Sequence, residues 1–210
     1  MKVLKTACSI NKRKKETNTV SLEMSIKTKG KFNIRSCSNE LEIMNIMEAI
    51  KYGWMDKNNN KHDIVDETYS NNYRLQSPKE IIKNKIGVCW DQVELERYYF
   101  QKNDYNFKTY FLVYYDNKVV PTHTFLTFEK NNKFYWFEHS WERFRGIHEY
   151  GSIKELLLDV RKKFIMNELD NNYNQANLIL REYKKPKYGI SVPEFYKHCE
   201  SGKIINVNRL

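Results

Sequence analysis

Three consecutive segments rich in aromatic and β-branched residues most constrain the fold of this 210-residue chain. They run from Phe107 to Tyr115, from Thr122 to Glu129 and from Phe134 to Trp141, and this composition is typical of strands. Asn131 and Asn132 separate the last two segments, and a two-residue turn of this kind favours a hairpin. The segments therefore predict an antiparallel sheet.

Helix-capping signals occur on both sides of these strands. Three polar residues are each followed three positions later by Glu, and this capping-box spacing predicts helix starts at Asn39, Ser77 and Ser152. We expect the first two helices to end at Gly53 and near Gly87, since glycine commonly follows a helix. Helices before a sheet, with a helix and a strand after it, are typical of an α+β fold.

The other segments are less regular. Apolar alternation between Val20 and Ile34 predicts a hairpin, and the Asn-rich, charged residues 56–72 predict a surface loop. Near the C-terminus we expect a strand from Leu178 to Tyr183 and a short helix after Ser191.

The formal net charge of +10 is concentrated at the N-terminus. Residues 1–35 contain ten of the 36 Lys and Arg residues and two of the 26 acidic residues. We therefore divide the chain into a basic N-terminal arm or hairpin, residues 1–35, and a single domain, residues 36–210, because this length suits one substantial core. Any attraction to nucleic acid belongs to the arm, since the remaining residues are nearly neutral.

Apolar patterning and cysteine spacing exclude several classes of protein. No stretch approaches the roughly 20 apolar residues of a membrane-spanning helix, and the first residues lack the apolar run of a secretory signal. The four cysteines lie far apart without a CxxC pair, so neither a disulfide framework nor a zinc site is indicated. We expect a cytoplasmic protein that requires no metal or cofactor and no membrane.

The segment Gly87-Val88-Cys89 is the strongest indication of chemistry. A thiol is a useful nucleophile as the thiolate, and a helix N-terminus favours the anion through its unpaired N–H groups. A helix is expected from Cys89 to Gln101, and Gly87 permits the tight turn into it. Cys89 is thus the one cysteine with an activating local sequence, although a lone cysteine is more often an inert core residue.

A nucleophilic cysteine needs a base, and the base needs a third group that orients it. If Asn131 and Asn132 form the hairpin turn, His123 and Glu138 become diagonal neighbours on one face of the hairpin. Such neighbours lie about 7 Å apart at the backbone, which an imidazole and a carboxylate span. His139 points to the other face. The hairpin therefore predicts a histidine–carboxylate pair that completes a triad with the cysteine.

This arrangement of cysteine, histidine and acid, within residues 77–142, resembles the core motifs of the transglutaminase-like superfamily. The resemblance implies a papain-type α+β core, in which the nucleophile Cys89 begins a helix packed on an antiparallel sheet that carries His123 and the acid. In that superfamily the third residue is usually Asp, whereas this chain has Glu138. Small residues usually follow the nucleophile there, whereas Trp90 follows it here.

The resemblance implies attack by the Cys89 thiolate on an amide or ester carbonyl of a protein or peptide substrate, with His123 protonating the leaving amine. The backbone N–H of Cys89 and one side-chain donor would hold the oxyanion, and Trp54 and Gln92 are the candidates for that donor. Water as the second nucleophile makes a peptidase or amidase, and a lysine amine makes a transglutaminase. The sequence leaves both open, and it leaves the oligomeric state undetermined.

Four alternatives remain at this level. A related fold uses the same triad to acetylate arylamines with coenzyme A, and an inactive member would be a binding module. The basic arm, with Lys12 to Lys15, would make the chain a nucleic-acid binder. A metal site would have to combine distant residues whose spacings match no zinc pattern: Cys89, His139, His148 and Cys199.

Overall fold

The computed structural model describes residues 39–116, 120–169 and 173–207 and has a mixed α and β architecture. In these ranges the helices are α1 (Glu40–Met47), α2 (Tyr69–Asn72), α3 (Pro78–Asn84), α4 (Cys89–Lys102), α5 (Ile153–Glu168) and α6 (Val192–Glu200). The strands are β1 (Trp54–Met55), β2 (Lys61–His62), β3 (Asn106–Tyr114), β4 (Thr122–Lys130), β5 (Lys133–Glu138), β6 (Gly146–Tyr150), β7 (Leu178–Glu182) and β8 (Lys203–Ile204). The hairpin predicted between residues 20 and 34 lies outside the described residues.

Six of these strands form one antiparallel sheet in the order β6-β5-β4-β3-β7-β8, and β1 pairs with β2 separately. The predicted sheet is confirmed, because β3 pairs with β4 and β4 with β5. The third segment ends as a strand at Glu138 rather than at Trp141. Within this sheet β6 and β8 were not predicted, and neither were β1 and β2 outside it, since short strands carry too few residues for an alternating pattern.

The turn between β4 and β5 sets the register of the hairpin. Asn131 and Asn132 have φ angles of 53° and 59°. Two successive residues in the left-handed region form the kind of turn whose twist matches that of the flanking strands. Lys130 pairs with Lys133, which is the register that the sequence predicted.

Side-chain caps begin three helices at their predicted positions. Asn39, Ser77 and Ser152 each accept the backbone N–H of the Glu three positions later. The predicted end of the first helix was wrong, because α1 stops at Met47 and Gly53 lies beyond a turn. None of the helices in the described ranges has the length and apolar character needed to cross a membrane.

The prediction of a plain surface loop over residues 56–72 was also wrong. The side chain of Asp56 accepts the backbone N–H groups of Asn58 and Asn60, both at 2.8 Å, and so closes a turn between β1 and β2. Farther along, α2 brings Tyr69 into the core, where it is 2% exposed. Local polar bonds and one buried aromatic residue therefore order a segment whose composition is that of a loop.

The helix α4 packs against β3 and β4 and is buried along most of its length. Near its start, Trp90 stacks on Phe195 of α6 with ring centroids 4.3 Å apart. Near its end, Tyr99 and Phe100 share a hydrophobic cluster with residues of α1. α4 is thereby held on the sheet by two other helices, and its first residue has a fixed position.

Replacing Asn132 tests the contribution of the hairpin turn to stability. A branched side chain is strained at a φ of 59°, so we expect Asn132→Val to lower the free energy of unfolding by about 1–2 kcal/mol. Asn132→Gly, the matched variant, should be at least as stable as the wild type, since glycine adopts this conformation without strain. Chemical denaturation measures both, and equal stability of the two variants would contradict the assigned turn.

Candidate active site

The turn that leads into α4 is held by a buried carboxylate. Asp91 accepts the backbone N–H groups of Val88 and Gln76 at 3.0 and 2.9 Å, and the hydroxyl of Tyr73 at 2.8 Å. Gly87 makes room for it, because a Cβ on Gly87 would lie 2.8 Å from the Cβ of Asp91. The sequence Gly-Val-Cys-Trp-Asp therefore encodes its own cap, with the acid three residues after the N-cap position.

Cys89 is the first residue of α4 and is 5% exposed. Among the described residues, its backbone N–H has no hydrogen-bond acceptor. The thiol thus sits at a helix N-terminus where at least one backbone donor is available to an anion.

His123 and Glu138 meet as the hairpin register predicted. The Nε2 of His123 donates to Oε2 of Glu138 at 2.8 Å, and the two side chains are 1% and 2% exposed. Cys89 is among the groups that raise the pKa of His123, so its thiol lies near the imidazole. Because Nε2 is engaged by Glu138, Nδ1 is the ring nitrogen that remains for the thiol. The structure therefore brings the three predicted triad residues together.

Burial and charge act in opposite directions on this pair. Burial lowers the pKa of His123, but the carboxylate of Glu138 and the nearby Cys89 outweigh burial and raise that pKa well above its usual range. Burial likewise raises the pKa of Glu138, and His123 outweighs it and lowers that pKa. Each partner thus favours the charged form of the other.

The second oxygen of Glu138 is fixed by the chain that follows β5. Its Oε1 accepts the hydroxyl of Ser140 at 2.9 Å and the backbone N–H of Trp141 at 2.8 Å. The indole of Trp141 stacks on the imidazole of His123, with centroids 3.8 Å apart and planes 7° from parallel. These contacts fix both the carboxylate and the imidazole, with a Glu in the place where the superfamily usually has Asp.

Gln92 and His139 connect the cysteine turn to the end of β5. The amide of Gln92 donates to the carbonyl of Gly87 at 2.7 Å, and its Oε1 accepts Nδ1–H of His139 at 2.6 Å. Burial and the nearby Arg145 lower the pKa of His139 to about 4, so its ring is neutral near pH 7. His139 lies next to Glu138 in the chain, and this connection therefore spans the site.

The two candidates for the oxyanion donor make hydrogen bonds to other residues. The indole of Trp54 donates its single N–H to the carbonyl of Ile64 at 2.9 Å, and the amide of Gln92 donates one of its two N–H groups to Gly87. Trp54 is therefore engaged elsewhere in this conformation, and Gln92 is partly engaged by the turn that precedes α4. The partner of Trp54 depends on how the chain folds back, so this engagement could not be predicted from spacing.

A small cavity opens beside Cys89 at the start of α4. Its volume is about 20 Å³, which is room for roughly one water molecule. The residues that line it are Tyr52, Val65, Tyr69, Val88, Cys89, Trp90 and Thr122. Sequence reasoning didn't identify Tyr69 or Thr122 as site residues, because only the fold brings α2 and β4 to this point.

No cluster of three or more His, Cys, Asp or Glu side chains suited to a metal ion occurs in residues 39–116, 120–169 and 173–207. Two of the four residues of the metal alternative have other partners: His139 is hydrogen-bonded to Gln92, and His148 to the carbonyl of Phe144.

A family model described as a transglutaminase-like domain matches residues 16–158, well over half of the chain. The protein therefore belongs to the transglutaminase-like family. The matched range includes Cys89, His123 and Glu138 and ends within α5. No curated protein matches the chain.

The coupling of His123 to Glu138 is tested by Glu138→Gln. Because the variant loses the carboxylate but keeps the burial, which disfavours imidazolium, we expect the pKa of His123 to fall from above its ordinary value to below it. The carbon-13 shift of its Cε1 in an NMR titration reports this pKa. His148→Ala is the control that leaves the pair intact.

The same variant changes how stability depends on pH. The raised pKa of His123 adds stability that is lost as pH rises through its folded value, and the lowered pKa of Glu138 adds stability that is lost as pH falls through its folded value. The difference in unfolding free energy between the wild type and Glu138→Gln should therefore be largest near neutral pH, with the wild type the more stable. An unchanged His123 titration would contradict the pairing.

Proposed function

We propose that the protein is a cysteine-dependent acyl-transfer enzyme that forms a thioester at Cys89. The observation that carries this proposal is the buried pair of His123 and Glu138, bonded at 2.8 Å, near a thiol that begins a helix and acts on the pKa of the same imidazole. We place the reaction in the cytoplasm, where reducing conditions keep a lone thiol active. Protein or peptide amides are the proposed substrates.

The first half-reaction uses the imidazolium as an acid. The Cys89 thiolate attacks the carbonyl carbon and forms a C–S bond, and the carbonyl electrons move to oxygen. When the C–N bond breaks, the proton of His123 Nδ1 goes to the leaving amine. Glu138 holds the ring orientation through Nε2 and stabilises its charge until that transfer. The products are the free amine and the acyl-enzyme.

The second half-reaction uses the same ring, now neutral, as a base. It removes a proton from water or from an incoming amine, whose oxygen or nitrogen attacks the thioester and expels the Cys89 thiolate. Water yields a carboxylic acid and makes the protein an amidase or peptidase. A primary amine yields a new amide and makes it a transglutaminase. Both outcomes use the same three residues in the same roles.

Alkylation rates test whether Cys89 is activated. At pH 6–7 we expect iodoacetamide to label Cys89 much faster than the buried Cys199, as read by mass spectrometry on native protein. His123→Ala should slow labelling by about 100-fold or more, the scale of acid–base assistance. His148→Ala should label like the wild type. Equal, slow labelling at Cys89 in wild type and His123→Ala would instead favour an inactive binding module.

The fate of the acyl group distinguishes hydrolase from transferase. p-Nitrophenyl acetate should give a burst of one p-nitrophenol per active site, and Cys89→Ala should give none. Casein with dansylcadaverine then offers peptide amides and an amine together. Dansyl incorporation identifies a transglutaminase, whereas ammonia or new peptide termini without incorporation identify a hydrolase. A burst that persists in Cys89→Ala would contradict the thioester mechanism.

A further inference from the structure

Tyr69 forms part of the wall of the cavity beside Cys89. Its ring is held among three aromatic side chains, with centroids 5.2 Å from Trp54, 4.7 Å from Tyr73 and 6.0 Å from Trp90. The side chain is 2% exposed, so its position is fixed by the core. Tyr69 therefore lies at the cavity that the reacting carbonyl oxygen would have to enter, and its side chain carries a hydroxyl donor.

We propose that the hydroxyl of Tyr69 is the side-chain donor of an oxyanion hole at Cys89, together with the backbone N–H of Cys89. The proposal rests on the proposed function, because an oxyanion forms only if the thiolate attacks a carbonyl. Tyr69 would donate a hydrogen bond and keep its proton throughout, so no bond to Tyr69 forms or breaks. The cavity of about 20 Å³ is the size of one oxygen-centred group.

The electrostatics keep Tyr69 in the donor form. Burial first, then the charges of Asp91 and Cys89, raise its pKa well above the ordinary value of a phenol. The O–H is therefore retained beside a thiolate. The ring of Tyr69 also packs at 4.7 Å against that of Tyr73, whose hydroxyl donates to Asp91 at 2.8 Å. Asp91 thus orients the cysteine turn and the tyrosine against which Tyr69 packs.

Other polar groups near the cavity are weaker candidates. Trp54 and Gln92 donate to the backbone carbonyls of other residues, as described above. The Oγ of Thr122 accepts the indole N–H of Trp90 at 3.3 Å, and an aliphatic hydroxyl is a weaker donor than the more acidic phenol of Tyr69. Tyr69 is therefore a stronger candidate than these three groups, and of the two tyrosines that line the cavity it is the fully buried one, since Tyr52 is only partly buried.

Two reagents separate this role from thiol activation. Iodoacetamide is attacked at a saturated carbon and forms no oxyanion, whereas p-nitrophenyl acetate acylates Cys89 through an oxyanion and releases p-nitrophenol. We expect Cys89 of Tyr69→Phe to be alkylated at the wild-type rate. The rate of the p-nitrophenol burst should fall by about 100-fold or more, as for removal of an oxyanion donor. Tyr183→Phe, a buried tyrosine in the same core cluster that doesn't line the cavity, should behave as wild type in both reactions.

Each result assigns the failure to one proposal. Equal acylation by Tyr69→Phe and wild type, or a selective loss in Thr122→Val or Trp54→Phe instead, would overturn the role of Tyr69. Slow alkylation of wild-type Cys89 would overturn the proposed function itself. Protection of Cys199 from iodoacetamide checks that Tyr69→Phe is folded. If it is not, 3-fluorotyrosine at position 69 gives a more acidic donor, and acylation that is not faster than wild type would contradict the proposal.

Discussion

The carboxylate of Asp91 is the interaction on which the geometry of the site depends. It accepts three hydrogen bonds, from Val88, Gln76 and Tyr73, and these fix the turn that places Cys89 at the start of α4. Burial raises its pKa to about 7, although the three donors lower it. Without this buried acid its three donors would be left without a partner, and each such donor would cost about 1–3 kcal/mol. The side chain of Asp91 thus both stabilises the turn and positions Cys89 at the start of α4.

A second acid on α4 shows how the interior limits the charge near the triad. Glu96 is 1% exposed, and its Oε2 has no hydrogen-bond partner in the described part of the chain. Burial, followed by the charges of Glu138 and Cys89, raises its pKa well above the usual range. This shift favours the neutral form of Glu96, whereas His123 and two further donors favour the ionised form of Glu138. Partners, more than burial alone, decide which of the two carboxyl groups carries charge.

Much of the hairpin and its site could be predicted because the rules involved are local. The turn at Asn131 and Asn132 fixed the register, and the two-residue side-chain period then placed His123 on the face of Glu138. The hydrogen bonds of the oxyanion candidates could not be predicted in this way, because the bond from Trp54 to Ile64 depends on how a hairpin and a loop fold back on each other. The stacking of Trp141 on the imidazole, and the approach of Tyr69, likewise arise from tertiary packing that no spacing rule contains.

The large residue after the nucleophile has a physical explanation in the C-terminal part of the chain. The superfamily resemblance leads one to expect a small residue there, yet Trp90 is 1% exposed. Its ring stacks on Phe195 at 4.3 Å and meets the edge of Tyr196 at 5.5 Å, and both belong to α6. α6 lies beyond residue 158, where the family match ends. α6 supplies the apolar surface that accommodates Trp90, so the large residue next to the cysteine is explained by an element that lies outside the matched range.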